Sequence, residues 1–106
     1  MALKVVEEKS NVLSDATARI TVESDLSDFQ MAQAELIKSS WDVAREWAHE
    51  HGISGPGRGG SGVLSPYAVN QEGEEITDEH YTLPANAPER QPAAYRVDVD
   101  VHGKTR

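Results

Sequence analysis

The sequence predicts an α+β fold: one long amphipathic helix packed on a small, mostly antiparallel sheet, with extended Gly/Pro-rich loops. Three observations carry this. Residues 26–49 contain no Gly or Pro, and their apolar positions recur at helical spacing. Ala18-Arg19-Ile20-Thr21-Val22 and Tyr95-Arg96-Val97-Asp98-Val99-Asp100-Val101-His102 alternate apolar and polar residues, the mark of strands with one face buried. Between helix and last strand lie a glycine-rich and a proline-rich stretch, where neither element propagates.

The 106 residues fit one domain, 1–106. Within it the sequence divides into N-terminal strands (1–23), the long helix (24–52), a flexible Gly-rich loop (53–62), and strands (63–106) broken by a Pro-rich arm (84–92). Leu3 to Glu7 is a short strand, Lys9-Ser10-Asn11 a turn, and Ala18 to Val22 its antiparallel partner. Ser24 to Asp28 supplies N-cap residues, and Ser27 with Gln30 fits a capping box. Phe29, Leu36, Val43 and Trp47 form the main apolar stripe of the helix. Ala34, Ile37, Trp41, Ala44 and Ala48 flank it, and Gly52 is the natural stop. Val63 to Val69 reads as an edge strand, because Pro66 cannot donate to a ladder. Asn70 to Gly73 is a turn, and Glu74 to Leu83 is the expected returning strand. Tyr95 to Val101 is the strongest strand of the chain.

The proportions of the helix point to a partner. About 25 residues make a helix roughly 37 Å long, whereas a compact domain of this size is roughly 33 Å across. Two apolar stripes exceed what a few short strands are expected to cover. Trp47 continues the main stripe and is assigned to the core. Trp41 lies on the flanking stripe with Ile37, Ala44 and Ala48, and these four are the interface candidates.

The net charge is −8, which opposes direct binding to nucleic-acid phosphates. Glu72, Glu74, Glu75, Asp78 and Glu79 concentrate that charge. They form either a docking patch for a basic partner or a solvated edge that discourages aggregation. The absence of cysteine excludes disulfides, Cys-ligated zinc and thiol nucleophiles.

Other chemistries have weak or no support. The letters Gly55-Pro56-Gly57-Arg58-Gly59-Gly60 follow a helix instead of a strand, so a connector explains them better than a phosphate loop. Asp98, Asp100 and His102 share one strand face and are the metal-ligand candidates. Simple alternation generates the same pattern. His49-Glu50-His51 suits the helix dipole at a C-terminus. No nucleophile elbow occurs.

The expected function is therefore a non-enzymatic interaction or assembly subunit without cofactor, such as a virion or other large-complex component. Its expected partner is another protein or a second copy, with no direct nucleic-acid or membrane contact. The alternatives are an acidic inhibitor or antagonist, a nucleic-acid mimic included, that docks on a basic protein, and a small metal-dependent enzyme using Asp98, Asp100 and His102. Met1 to Glu7 has no long apolar run, so no signal peptide is expected, and a cytoplasmic or virion-associated location is.

Overall fold

The computed structural model describes residues 3–14, 16–24, 29–54 and 62–105. In it the chain runs β1 (Leu3–Val5), β2 (Asn11–Ser14), β3 (Thr17–Ser24), α1 (Phe29–Glu50), β4 (Ile53–Ser54), β5 (Gly62–Val63), β6 (Tyr67–Val69), β7 (Ala94–His102) and β8 (Lys104–Thr105). The helix packs on a six-stranded antiparallel sheet, an α+β arrangement. The two alternating segments are its centre. β3 and β7 pair without interruption from Thr17↔His102 to Ser24↔Tyr95. This register puts Ala18, Ile20 and Val22 on the same face as Val97, Val99 and Val101, and all six are buried.

Both outer edges are broken strands. β1 and β2 both pair with β3. Between Val5↔Val22 and Asn11↔Arg19 the edge advances six residues while β3 advances three, so three extra residues are looped out. A single 3-10 turn, Glu7–Lys9, absorbs them. Ser10 closes the gap: its Oγ accepts the Thr21 backbone N–H (3.1 Å) and donates to the Val6 carbonyl (2.8 Å). A buried side chain thus replaces the missing ladder bond. The expected turn at Lys9-Ser10-Asn11 is corrected accordingly: the turn comes earlier, and Asn11 already begins β2.

The opposite edge behaves as Pro66 predicts. β5 and β6 both pair with β7, one extra residue separating Val63↔Val99 from Tyr67↔Arg96. Leu64 N–H still reaches the Asp98 carbonyl (2.9 Å) before Pro66 interrupts the ladder.

The returning strand expected over Glu74 to Leu83 does not form. Asn70 Oδ1 accepts the N–H groups of Glu72 and Glu74, both at 3.0 Å, and Gly73 adopts φ 81°, so the predicted turn closes tightly. Pairing then lasts only to the Val69↔Glu75 bridge and the Ile76 N–H to Ala68 carbonyl bond (3.0 Å). Beyond it the chain turns at His80–Thr82, where the His80 ring nitrogen accepts the Thr77 N–H. The Pro-rich segment is likewise not an extended arm throughout. It folds back through a 3-10 turn at Pro88–Arg90, with Arg90 over the Tyr81 ring (5.1 Å) and bonded to the Leu83 carbonyl (2.9 Å). Of the expected Gly-rich loop, Ile53–Ser54 pairs with Lys104–Thr105 and Gly62 opens β5, while residues 55–61 lie outside the described residues. So do the N-cap candidates Asp25 to Asp28, including the Ser27 half of the capping box.

α1 crosses the sheet from one edge to the other. Near its start, Gln33 and Ile37 face Val63 and Leu64. Near its end, Trp47 Nε1–H donates to the Glu7 carboxylate (3.1 Å). Ala32, Leu36, Ser40, Ala44, Trp47 and Ala48 make its buried face. The small residues let the helix axis approach the sheet closely, so the valines of β3 and β7 fill the interface. At the C-terminus His51 stacks on Trp47 (ring centroids 3.7 Å apart) and its Nδ1–H donates to the Trp47 carbonyl (2.8 Å). Gly52 then leaves the helix at φ 95°, the left-handed stop expected of a C′ glycine.

Ser40 Oγ is buried and finds no hydrogen-bond partner among the described residues. A buried hydroxyl without a partner destabilises, and alanine is the better helix former. Ser40→Ala is therefore expected to raise stability by about 1 kcal/mol, measured as a higher urea midpoint. A lower midpoint would mean that the hydroxyl has a partner in solution.

Candidate functional site

The face of the sheet turned away from α1 carries the polar half of both alternating strands. Its side chains are ordered by the β3–β7 register. At one end Glu23 sits opposite Arg96 and Lys4. It accepts a hydrogen bond from Arg96 Nε (2.7 Å) and lies 3.2 Å from Lys4 Nζ. Burial opposes ionisation of Glu23, but the Arg96 and Lys4 bonds prevail and hold its carboxyl below the usual range. At the other end Arg19 Nε and Nη2 grip both oxygens of Asp100, at 2.6 and 2.9 Å. That fork holds the Asp100 carboxyl low, against a smaller opposing effect of burial.

Between these pairs lies a groove of ≈ 470 Å³. Asp98 occupies its floor. Thr21 Oγ1 donates to Asp98 Oδ1 at 2.6 Å, and Tyr67 OH donates to the same oxygen at 3.4 Å. Burial, reinforced by the Asp98 charge, pushes the Tyr67 phenol up to about 12, so it remains a neutral donor at physiological pH. Leu64 and Tyr67 line the groove from the β5–β6 edge, Lys9 from the β1–β2 edge, and Glu75 from the turn that follows β6.

The metal-ligand candidates Asp98, Asp100 and His102 are not assembled as a metal centre. Asp100 is taken by Arg19, and Asp98 by two hydroxyls. Among the described residues no three His, Asp or Glu side chains come close enough to share an ion. The strand period explains this arrangement: residues two apart share a face but sit about 6.6 Å apart along it, and cross-strand partners reach Asp98 and Asp100 first.

The acidic candidates Glu72, Glu74, Glu75, Asp78 and Glu79 are all exposed. Glu74 lies close enough to raise the carboxyl of Glu72 through a side-chain hydrogen bond. Of the five, Glu75 alone lines the sheet-face groove.

The interface candidates separate into two groups. Ala44 and Ala48 are fully buried in the core and unavailable to a partner. They came from the flanking stripe, which turns inward where α1 reaches the far edge of the sheet. Trp41 is half-buried against the core, and Ile37 is 54% exposed. Ile37 and Gln33 form one wall of a second groove, ≈ 290 Å³, whose other wall is Val63, Leu64, Ser65 and Pro66.

Sequence reasoning missed Tyr67, Thr21, Lys9 and Arg96 as site residues. Arg96 and Thr21 were visible as the polar partners in the two alternations. Tyr67 reaches Asp98 only through the one-residue shift at Pro66, and Lys9 arrives on the looped-out turn. The turn at Glu7–Lys9 has no local sequence signal, and Pro66 marks the place of the other shift without revealing its one-residue size.

Among the described residues no helix is long and apolar enough to cross a membrane. No protein-family model matches this chain, and no curated protein or solved structure shows significant similarity to it.

Proposed function

We propose that this protein is a non-enzymatic interaction or assembly subunit that engages another protein, or a second copy of itself, through the groove between α1 and the β5–β6 edge. The observation that carries this reading is the exposure of Ile37 (54%) and Leu64 (45%) on opposite walls of that groove. Large apolar side chains facing each other across an open groove gain free energy when a partner removes them from water, about 25 cal/mol per Å². The electrostatics agree. The segment from Gly62 to Val69 carries no charge in a chain of net charge −8, so a partner approaches this edge against the least repulsion.

A second reading, docking of the Glu72–Glu79 acids on a basic protein, is favoured by the crowding of Glu72 against Glu74, which a cationic partner would relieve.

One experiment separates the two. Association is measured by light scattering and by cross-linking in cell extract, at low and high salt, for the parent and for Ile37→Asp with Leu64→Asp. Apolar docking predicts association that tolerates salt and falls at least tenfold in the double variant, while circular dichroism stays unchanged. Salt-sensitive association that survives both substitutions supports the acidic reading instead. A strictly monomeric parent that captures nothing at either salt would sink both.

A further inference from the structure

We propose that the occupant of the groove beside α1 is the β2 edge of a second copy, so that copies add head to tail and their sheets run on from one to the next. This rests on that groove being a docking site, and it names what enters it.

The argument begins with the two edges of the sheet. β2 pairs with β3 and β5 with β7, and among the described residues no further strand lies outside either. Backbone groups on both edges turn outward. The Thr21 N–H donates to Ser10 Oγ and its carbonyl accepts the Val6 N–H, so Thr21 directs its backbone to the β1–β2 edge. Arg19, two residues back, does the same. Asn11 pairs with Arg19 and Val12 with Ala18, which leaves the N–H and C=O of Val12 pointing away from the sheet. On the other edge the Leu64 N–H donates inward to the Asp98 carbonyl, so Val63 before it points its own N–H and C=O outward.

Direction and facing both match. β2, β3, β7 and β5 are antiparallel in turn, so β2 and β5 run in opposite directions. A copy placed alongside without inversion therefore offers β2 antiparallel to β5. Val12 lies opposite Ala18 and Val63 opposite Val99, and both of those partners are buried on the face toward α1. Val12 and Val63 thus share a face, and pairing them joins their two outward N–H and C=O sets. Val12 then lies beside the groove walled by Gln33 and Ile37, and it would cover Ile37 and Leu64.

The flanking positions agree. Leu13, 59% exposed, falls opposite Gly62, where space beside the backbone is open. Lys9 falls opposite Pro66: one edge leaves its ladder at the Glu7–Lys9 turn where the other loses its donor. Copies of net charge −8 repel, yet Ser10 to Ser14 and Gly62 to Val69 carry no charge. Pairing of two β2 edges would satisfy the strands but leave Ile37 and Leu64 in water. A head-to-tail contact does not close on itself, and sheet twist makes the product an open, helical row of copies.

The test is sedimentation velocity of the full chain from about 10 μM to about 1 mM, the range suited to a small interface. The parent is expected to grow past the dimer as concentration rises. Val12→Asp blocks one edge, and Ile37→Asp with Leu64→Asp blocks the other. Each variant alone is expected to associate at least tenfold more weakly. Their equimolar mixture retains one intact junction and is expected to form dimers and nothing larger. Val12→Pro provides an independent check: it removes the outward N–H without removing a bond to β3, and is expected to act as Val12→Asp does.

A parent that stays monomeric, or that stops at the dimer, would overturn the proposal. So would a mixture that remains monomeric. Association lost in the groove variant but kept in both Val12 variants would also overturn it, while leaving the groove a docking site for a different surface.

Discussion

Arg96→Met is expected to lower the stability of the protein by about 2–3 kcal/mol at pH 7, because it leaves the half-buried Glu23 carboxylate without its principal partner. Both side chains of the pair are shielded, with 11% exposure for Arg96 and 13% for Glu23. Lys4 remains within reach of Glu23, but it is 71% exposed and its ion pair is weakened by solvent. For a chain of this length, a loss of that size corresponds to roughly 10–20 °C in Tm.

The pH dependence separates the charge effect from lost packing. Glu23 has its carboxyl held below its ordinary value of 4.5 in the folded state. It therefore contributes stability above the unfolded value, and this contribution is lost as pH falls through the lower folded value. The parent loses the Glu23–Arg96 contribution in acid, whereas the methionine variant has none to lose. The gap in Tm between the two proteins should be widest at pH 6–8 and should shrink below about pH 4. A gap of equal size at pH 3 and pH 7 would show that the loss comes from packing of the arginine stem instead.

Leu36→Ala is expected to cost about 3 kcal/mol, read as a drop in urea midpoint with little change in slope. Leu36 is fully buried between α1 and the strands β3 and β7, and its removal leaves a cavity that the stiff valines opposite cannot fill. The neighbouring substitution Ile37→Ala is expected to change stability by less than about 0.5 kcal/mol, because Ile37 is mostly in solvent. The contrast between adjacent residues measures the orientation of the helix. Comparable losses at the two positions would mean that α1 is rotated relative to the arrangement described here.

These two expectations rest on features of differing legibility. The alternation at residues 18–22 and 95–102 revealed the paired central strands, since period-two patterning arises wherever one face of a sheet is buried and the other is wet. Pro66 marked an edge because it lacks a donor. Gly52 marked the helix stop because only a residue tolerant of positive φ continues the chain there. β2 was not legible: Asn11 to Ser14 is exposed along its length, and its two apolar residues, Val12 and Leu13, are adjacent and so do not alternate. The aborted strand after Glu75 was misread because residues 74–83 have strand-like composition, while the side chains of Asn70 and His80 stabilise turns instead.

The site was legible only as a set of polar positions. Asp98 and Asp100 stood out as a shared face, and that much is true of them. Their opposite fates depend on which residue each meets across β3: Thr21 beside Asp98, Arg19 beside Asp100. The same limit applied to the helix. Periodicity identified the apolar stripes, yet Ala44 and Ala48 on the flanking stripe are core residues while Ile37 on the same stripe is exposed. A helical wheel has no information about the angle at which the helix crosses its sheet, and that angle decides which part of a stripe is covered.

The sequence by itself determined the α+β class, the identity of the long helix and the two central strands, and the acidic, cysteine-free character of the protein. These follow from local periodicity and composition, which act over a few residues. The tertiary structure alone decided the register of β3 against β7, the looped-out turn at Glu7–Lys9, the shift at Pro66 and the crossing of α1. Those are contacts between residues up to about eighty positions apart, such as Arg19 with Asp100 at a separation of 81. They fix which carboxylate is gripped by arginine, at Asp100, and which is held by hydroxyls, at Asp98.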